Sequence, residues 1–332
     1  MPNWIEIGLD WVLAVQAWGP WLVGPMEWIS ELGTEPFYLL VMPIVLWCYD
    51  YALGFRLGLI LIASALTNGW LKLAFALPRP FWVSSGVETH SFETSFGLPS
   101  GHAQNGVTVW GRLAHGLRTR WAYAGAIILI LLISISRLYL GMHFPQDAIG
   151  GLIAGALLLL VFLWLEEPVW RWFKHQRPLL QVLSILGVSF GSLLISLLIW
   201  QSSLGQALPA DWMALAAEAA PEGAMADPRM FDGFVSLAGL LLGFPLGAWQ
   251  LHRSGGIHAK GALILRTARF AVGVAGVSLL FFGLDLLGPS EGSAFAYLWR
   301  YARYAVVGYW ITFVAPRLFR RMGLAMEASP TS

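Results

Sequence analysis

Residues 136–165 read SRLYLGMHFPQDAIGGLIAGALLLLVFLWL, and this stretch decides the fold. From Ala148 to Leu165 it carries no charge, close to the roughly 20 apolar residues with which a helix crosses a bilayer. Arg137, His143 and Asp147 crowd its entrance. Ionisable groups at the edge of a membrane helix are expensive, so they mark function rather than decoration. Pro145 suits a first helical position, which places His143 just outside the helix and Asp147 in its first turn.

The rest of the chain repeats the apolar theme. It has 332 residues, 57% hydrophobic and 12% charged, about half the charge of an ordinary soluble domain. Nine spans are expected, at roughly 36–50, 54–76, 101–117, 121–139, 146–165, 179–202, 233–251, 261–287 and 295–315. Lys and Arg collect on one side of these spans: Arg56; Arg118 and Arg120; Arg171, Lys174 and Arg177; Arg253, Lys260, Arg266 and Arg269; Arg317, Arg320 and Arg321. The acidic connections take the other side: Glu88 and Glu93, then Asp211, Glu218, Glu222, Asp227 and Asp232, then Glu291. The expected topology has the N-terminus outside and the C-terminus in the cytoplasm. Arg300 and Arg303 break the rule and are expected to snorkel or to pair with Glu291.

Three regions are expected: an amphipathic interfacial segment at 1–30, a catalytic membrane core at 31–202 and a three-span region with a cytoplasmic tail at 203–332. Within the first, Trp4, Trp11 and Trp18 recur every seven residues beside Ile7 and Val15, as on a helix lying in the interface. Residues 1–30 hold no Lys or Arg, so a cleavable signal peptide is not expected. The 203–232 connection reads equally as a surface cap or a loose loop. Cys48, the one cysteine, reads as an inert buried thiol. A net charge of +1 gives no field for nucleic acid.

Three charged groups converge on the outer side of the predicted topology. They are Lys72 with Arg79-Pro80; Pro99-Ser100-Gly101-His102; and Ser136-Arg137 with His143 and Asp147. Lys72, Arg79 and Arg137 supply three cations, two of them guanidinium forks that match phosphate oxygens, with no matching number of carboxylates nearby. Ser100 is placed to cap a helix whose first amides, from Gly101 and His102, favour an anion. Asp147 can orient His143 so that one ring nitrogen is free to attack. His102 remains as proton donor to the leaving oxygen. His90 and His115 read as packing histidines. Phe81, Trp82, Phe92 and Phe96 read as interface anchors or as the lining of a chain entrance.

The strings Lys72-x6-Arg79-Pro80, Pro99-Ser100-Gly101-His102 and Ser136-Arg137-x5-His143-x3-Asp147 resemble the three signature motifs of the type-2 phosphatidic acid phosphatase (PAP2) superfamily. The resemblance implies an all-α integral membrane protein with a six-helix catalytic core and further C-terminal helices. It implies cofactor-free and metal-independent hydrolysis of phosphate monoesters through a phosphohistidine. By motif position His143 is then the nucleophile, Asp147 its partner and His102 the general acid. Lys72, Arg79, Ser100, Gly101, His102 and Arg137 would cradle the phosphate. Residues 32–50, SRLYLGMH and 300–316 are similar to the sphingosine-1-phosphate phosphatases, with Gly101 in place of their Thr. The nine-span plan resembles that of the glucose-6-phosphatases.

These features lead to the expectation of a lipid phosphate substrate, such as sphingosine-1-phosphate, phosphatidate or a polyprenyl phosphate or diphosphate. The composition suggests a bacterial inner membrane, with the site facing the periplasm, or the lumen in a eukaryote. A phosphotransferase and a non-catalytic transporter or binding protein are the competing functions. The last spans would shape lipid access or form a homodimer contact. A vanadium haloperoxidase shares the motifs but is soluble.

Overall fold

The computed structural model describes residues 3–220, 227–289 and 293–327. Glu222 and Glu291 lie outside the described residues. Among the described residues every regular element is a helix, with no strand. Backbone polar groups have no water to bond in hydrocarbon, so a spanning chain satisfies them within helices. Each of the nine expected segments is helical. In chain order the helices are α1 (Asn3–Gln16), α2 (Val23–Glu31), α3 (Glu35–Ile44), α4 (Tyr51–Phe75), α5 (Pro80–Val83), α6 (Gly101–Asn105), α7 (Gly111–Leu117) and α8 (Arg120–Tyr139). They continue with α9 (Pro145–Lys174), α10 (Pro178–Leu204), α11 (Ala210–Ala219), α12 (Asp232–Arg253), α13 (Leu263–Leu286), α14 (Ala294–Tyr309) and α15 (Ala315–Arg321). Turns of π-helix extend α3 through Val45–Tyr49, join α6 to α7 through Gly106–Trp110, and join α14 to α15 through Trp310–Val314.

Six helices are long and apolar enough to cross a membrane alone: α4 with its continuation to Val83, then α8, α9, α10, α12 and α13. The segment from Glu35 to Tyr49 qualifies only together with Pro20–Glu31, to which it is bent by 49°. The break follows from Thr34, whose hydroxyl accepts from the Phe37 amide at 3.3 Å, and from Pro36, which cannot continue a preceding helix.

One compact unit comprises Met1–Tyr38, Ala63–Trp164 and Leu197–Met230. In it Ile5 and Val12 of α1 pack with Val83, Val87 and Phe144, while Trp11 and Trp18 stand 60% and 50% exposed. Thus α1 buries Ile5 and Val12 against protein and leaves Ile7 and Trp11 exposed. Within the 203–232 connection, of which 221–226 lie outside the described residues, α11 packs on α5. Phe81, Trp82 and Phe96 are buried and ring-to-ring neighbours, with Phe92 packed on Phe81. They form the core of their own loop, because mutual burial removes more apolar surface from water than interfacial anchoring would.

The other unit comprises Leu39–Ile62, Leu165–Ser196 and Phe231–Ser332. Its core joins Leu46, Trp47 and Cys48 to Leu251, Ile257, Phe313, Ala315 and Phe319. Helices α12 and α14 touch backbone to backbone, since a Cβ on Gly243 would come within 1.8 Å of the Ala305 carbonyl. Arg303 pairs with Asp285 and Arg300 lies 3.5 Å from Asp232. The two exceptions to the charge rule are therefore held by carboxylates of α13 and α12.

Candidate active site

All the residues singled out for chemistry lie in the first unit, where four elements deliver them. Ser64, Asn68 and Lys72 recur at four-residue spacing along α4, and all three are buried. The Asn68 amide donates to the Pro99 carbonyl at 3.2 Å and to Gln104 Oε1 at 2.9 Å. This ties α4 to the start of α6. Ser100 caps α6, its hydroxyl accepting from the Ala103 amide at 3.5 Å. The Ser100 amide donates to the Asp147 carbonyl at 2.9 Å, so the second and third motifs are fastened through backbone. A Cβ on Gly151 of α9 would lie 2.4 Å from the Ser100 carbonyl; only glycine allows α9 and α6 to come this close.

Arg79 is fully buried. Its Nη1 donates to the Met142 carbonyl at 3.0 Å and lies 3.3 Å from His143 Nε2. Its Nε donates to the Ser95 carbonyl at 2.6 Å. Lys72 Nζ donates to Ser95 Oγ and to the Phe96 carbonyl, both at 2.8 Å. The loop segment Ser95–Phe96 therefore straps two of the three cations. Arg137, in the last turn of α8, donates from Nη1 to Ser30 Oγ at 2.7 Å.

His143 is wholly buried, with Nδ1 3.4 Å from Asp147 Oδ2. That carboxylate oxygen accepts from the Phe144 amide at 2.9 Å, which fixes it near the ring, whose Nδ1 has no hydrogen-bond partner. Burial first, then the charges of Arg79, Lys72 and Arg137, hold the His143 imidazole well below its ordinary range. The ring is therefore neutral near pH 7, as attack on phosphorus requires. His102 Nε2 is buried without a hydrogen-bond partner.

The expected site residues thus come together: Lys72, Arg79, Ser100, Gly101, His102, Arg137, His143 and Asp147. Sequence reading missed four supporting groups. Ser95, Ser30, Asn68 and Gln104 hold the cations and the cap. The polar stripe of α4 was a readable signal for Asn68, since a membrane helix turns its polar face inward. Nothing in the sequence pointed to Ser30, 107 positions from Arg137.

Sequence reading treated Glu93 only as a topology marker, and this is corrected. Its Oε2 lies 2.6 Å from Arg79 Nη2 and its Oε1 2.5 Å from Arg137 Nη2. His102 Nδ1 is 3.9 Å from the same Oε1. Burial alone would raise this carboxyl, but Arg79 and Arg137, helped by His102 and Lys72, hold it well below the usual carboxylate range. Glu93 and Asp147 stand among Lys72, Arg79 and Arg137, and Glu35 and Glu31 lie within electrostatic reach of Lys72 and Arg137, so carboxylates around the cations are more numerous than the sequence suggests. His90 sits 4.0 Å from Glu88 and His115 3.4 Å from the Tyr123 hydroxyl, both as packing residues. Among the described residues, no three His, Cys, Asp or Glu are grouped to hold a metal ion.

The family model described as "PAP2 superfamily" matches residues 53–171. A second, "PAP2 superfamily phosphatase, transmembrane extension", matches residues 235–327. Glucose-6-phosphatase 3 of Bos taurus is 26% identical, over 99% of this chain and 99% of its own. Sphingosine-1-phosphate phosphatase 1 of Mus musculus is 32% identical, over 40% of this chain and 32% of its own. Phosphatidylglycerophosphatase B of Bacillus subtilis (strain 168) is 30% identical, over 46% of this chain and 79% of its own.

Proposed function

Because this chain belongs to the PAP2 superfamily, we propose that it releases phosphate from a lipid phosphate monoester through a phosphohistidine formed on His143. It is a multi-pass membrane protein and a phosphoric monoester hydrolase. The observation that carries the proposed mechanism is the placement of His143, with Asp147 at 3.4 Å on one ring nitrogen and Arg79 at 3.3 Å from the other. A phosphoryl group docked on Arg79 and Arg137 would meet His143 Nε2 at its phosphorus.

In the first step Nε2 attacks phosphorus and the ester oxygen leaves, taking a proton from His102. In the second step water, losing a proton to His102, attacks the phosphohistidine and frees inorganic phosphate and His143. Asp147 stabilises the positive charge that the ring acquires between the two steps. The cations and the Gly101 and His102 amides stabilise charge on the equatorial oxygens. Preorganised donors of this kind usually supply the largest part of the rate.

The outer-face placement rests on the alternation of Lys and Arg with acidic loops. The lipid reading is supported by a site at the end of membrane helices and by the sphingosine-1-phosphate and phosphatidylglycerophosphate relatives. A water-soluble sugar phosphate is the second reading, favoured by the end-to-end match to glucose-6-phosphatase 3. Phosphate release by detergent-purified protein from sphingosine-1-phosphate, phosphatidate, a polyprenyl phosphate and glucose-6-phosphate separates the two. Release from glucose-6-phosphate alone would replace the lipid reading.

A further inference from the structure

We propose that Glu93 sets the charge specificity of the site: its carboxylate occupies the phosphate seat between Arg79 and Arg137, so that a ligand must carry two negative charges to displace it. This rests on the reading of the three cations as a phosphate cradle. Each Glu93 oxygen meets a different guanidinium, at 2.6 and 2.5 Å, spanning the same two forks that the ester oxygens would take. The carboxylate comes from the loop between α5 and α6 and is 30% exposed, so it lies at the open side of the site. Its neighbours Ser95 and Phe96 are fastened to Lys72 and Arg79. The Glu93 side chain can therefore swing away without dismantling the cradle.

The groups facing Glu93 define the exchange. Arg79 follows α4, Arg137 comes from α8, His102 from α6 and Lys72 from α4, while Glu35 of α3 repels it. A monoanion, such as a phosphate diester, replaces one negative charge with one and gains nothing for the displacement. A phosphate monoester above its second ionisation, near pH 6, brings about two charges and wins. The carboxylate thus rejects diesters, which abound among membrane lipids, without steric exclusion, and it opposes the retention of product. Specificity here comes from the cost placed on the wrong ligand.

The test is binding of inorganic phosphate and of dimethyl phosphate at about pH 7.5, where phosphate is mostly the dianion. Binding is read as the concentration-dependent rise in unfolding temperature of the full chain in detergent. The wild type should bind phosphate and ignore dimethyl phosphate. Glu93→Gln should bind phosphate about 10- to 100-fold tighter, the range of a charge-assisted hydrogen bond, and should gain measurable affinity for dimethyl phosphate. Glu93→Asp, one methylene too short to bridge both guanidiniums, should shift the same way by less, and it decides the matter if Glu93→Gln does not fold. Equal wild-type affinity for the two anions, or unchanged or weaker phosphate binding in the variants, overturns the proposal. His143-dependent phosphate release by the same wild-type preparation keeps the two readings apart. If that release persists, only the role of Glu93 falls; if it is absent, the phosphatase reading itself falls.

Discussion

Arg137 presents one nitrogen to Ser30 and another to Glu93, a spread across two nitrogens that a planar fork holds rigidly and the single nitrogen of an ammonium does not reproduce. Arg137→Lys should therefore lose about 100- to 1,000-fold in kcat/KM, the usual cost of one preorganised donor, and steady-state phosphate release checks it. His143 makes a second prediction, on stability. Its ring is held below the range of an unfolded histidine, near 6.5, so below that pH the unfolded chain binds a proton that the folded one refuses. Stability contributed by this site is thus complete above about pH 6.5 and falls as pH drops beneath it, by at most about 1.4 kcal/mol per pH unit. Unfolding temperatures of the wild type between pH 7.5 and 5 should decline more steeply than those of His143→Gln, provided each is compared with its own value at pH 7.5. The residues that gather here are marked in the sequence by their ionisable types beside apolar spans and by a spacing that resembles the PAP2 motifs. Glu93 was not, because one carboxylate in a loop reads the same whether it faces water or two arginines.

At the scale of elements, the site depends on how closely α9 approaches the start of α6. Gly151→Ala would place a methyl 2.4 Å from the Ser100 carbonyl, with backbone on both sides and no flexible side chain to yield. Overpacking of this kind costs about 1–3 kcal/mol. It should also lengthen the Ser100–Asp147 backbone bond, lowering kcat more than it raises KM. A variant with lowered unfolding temperature and unchanged kcat would show that the bond does not position the catalytic groups. Helix positions were well legible, since apolar length and capping residues are local properties: Ser100 caps α6 and Pro145 opens α9 as their residue types dictate. The turns of π-helix at Gly106–Trp110 and Trp310–Val314 were not, because they answer to neighbours in space. For the same reason the packing of Ile5 and Val12 around Phe144 is not legible in the heptad spacing of the tryptophans.

Across the whole molecule, the positive-inside pattern predicts one alternation of the helical segments, with every candidate catalytic group expected on the outer face. Single cysteines in a Cys48→Ser background should react with an impermeant thiol reagent from outside at Glu88 and only after permeabilisation at Arg118. The opposite pattern would invert the topology and move the site to the cytoplasmic face. What composition could not convey is the division of labour along the chain. The candidate catalytic groups fall within one compact unit, whereas the second unit offers packed glycines and paired charges without a comparable cluster among the described residues. The central claim is that His143 carries the phosphoryl group, and its most direct measurement is phosphate release from a lipid phosphate monoester by purified wild type and His143→Ala, in the presence of EDTA. The account predicts release by the wild type and none above background by the variant. Near-wild-type release by a folded His143→Ala protein would contradict it.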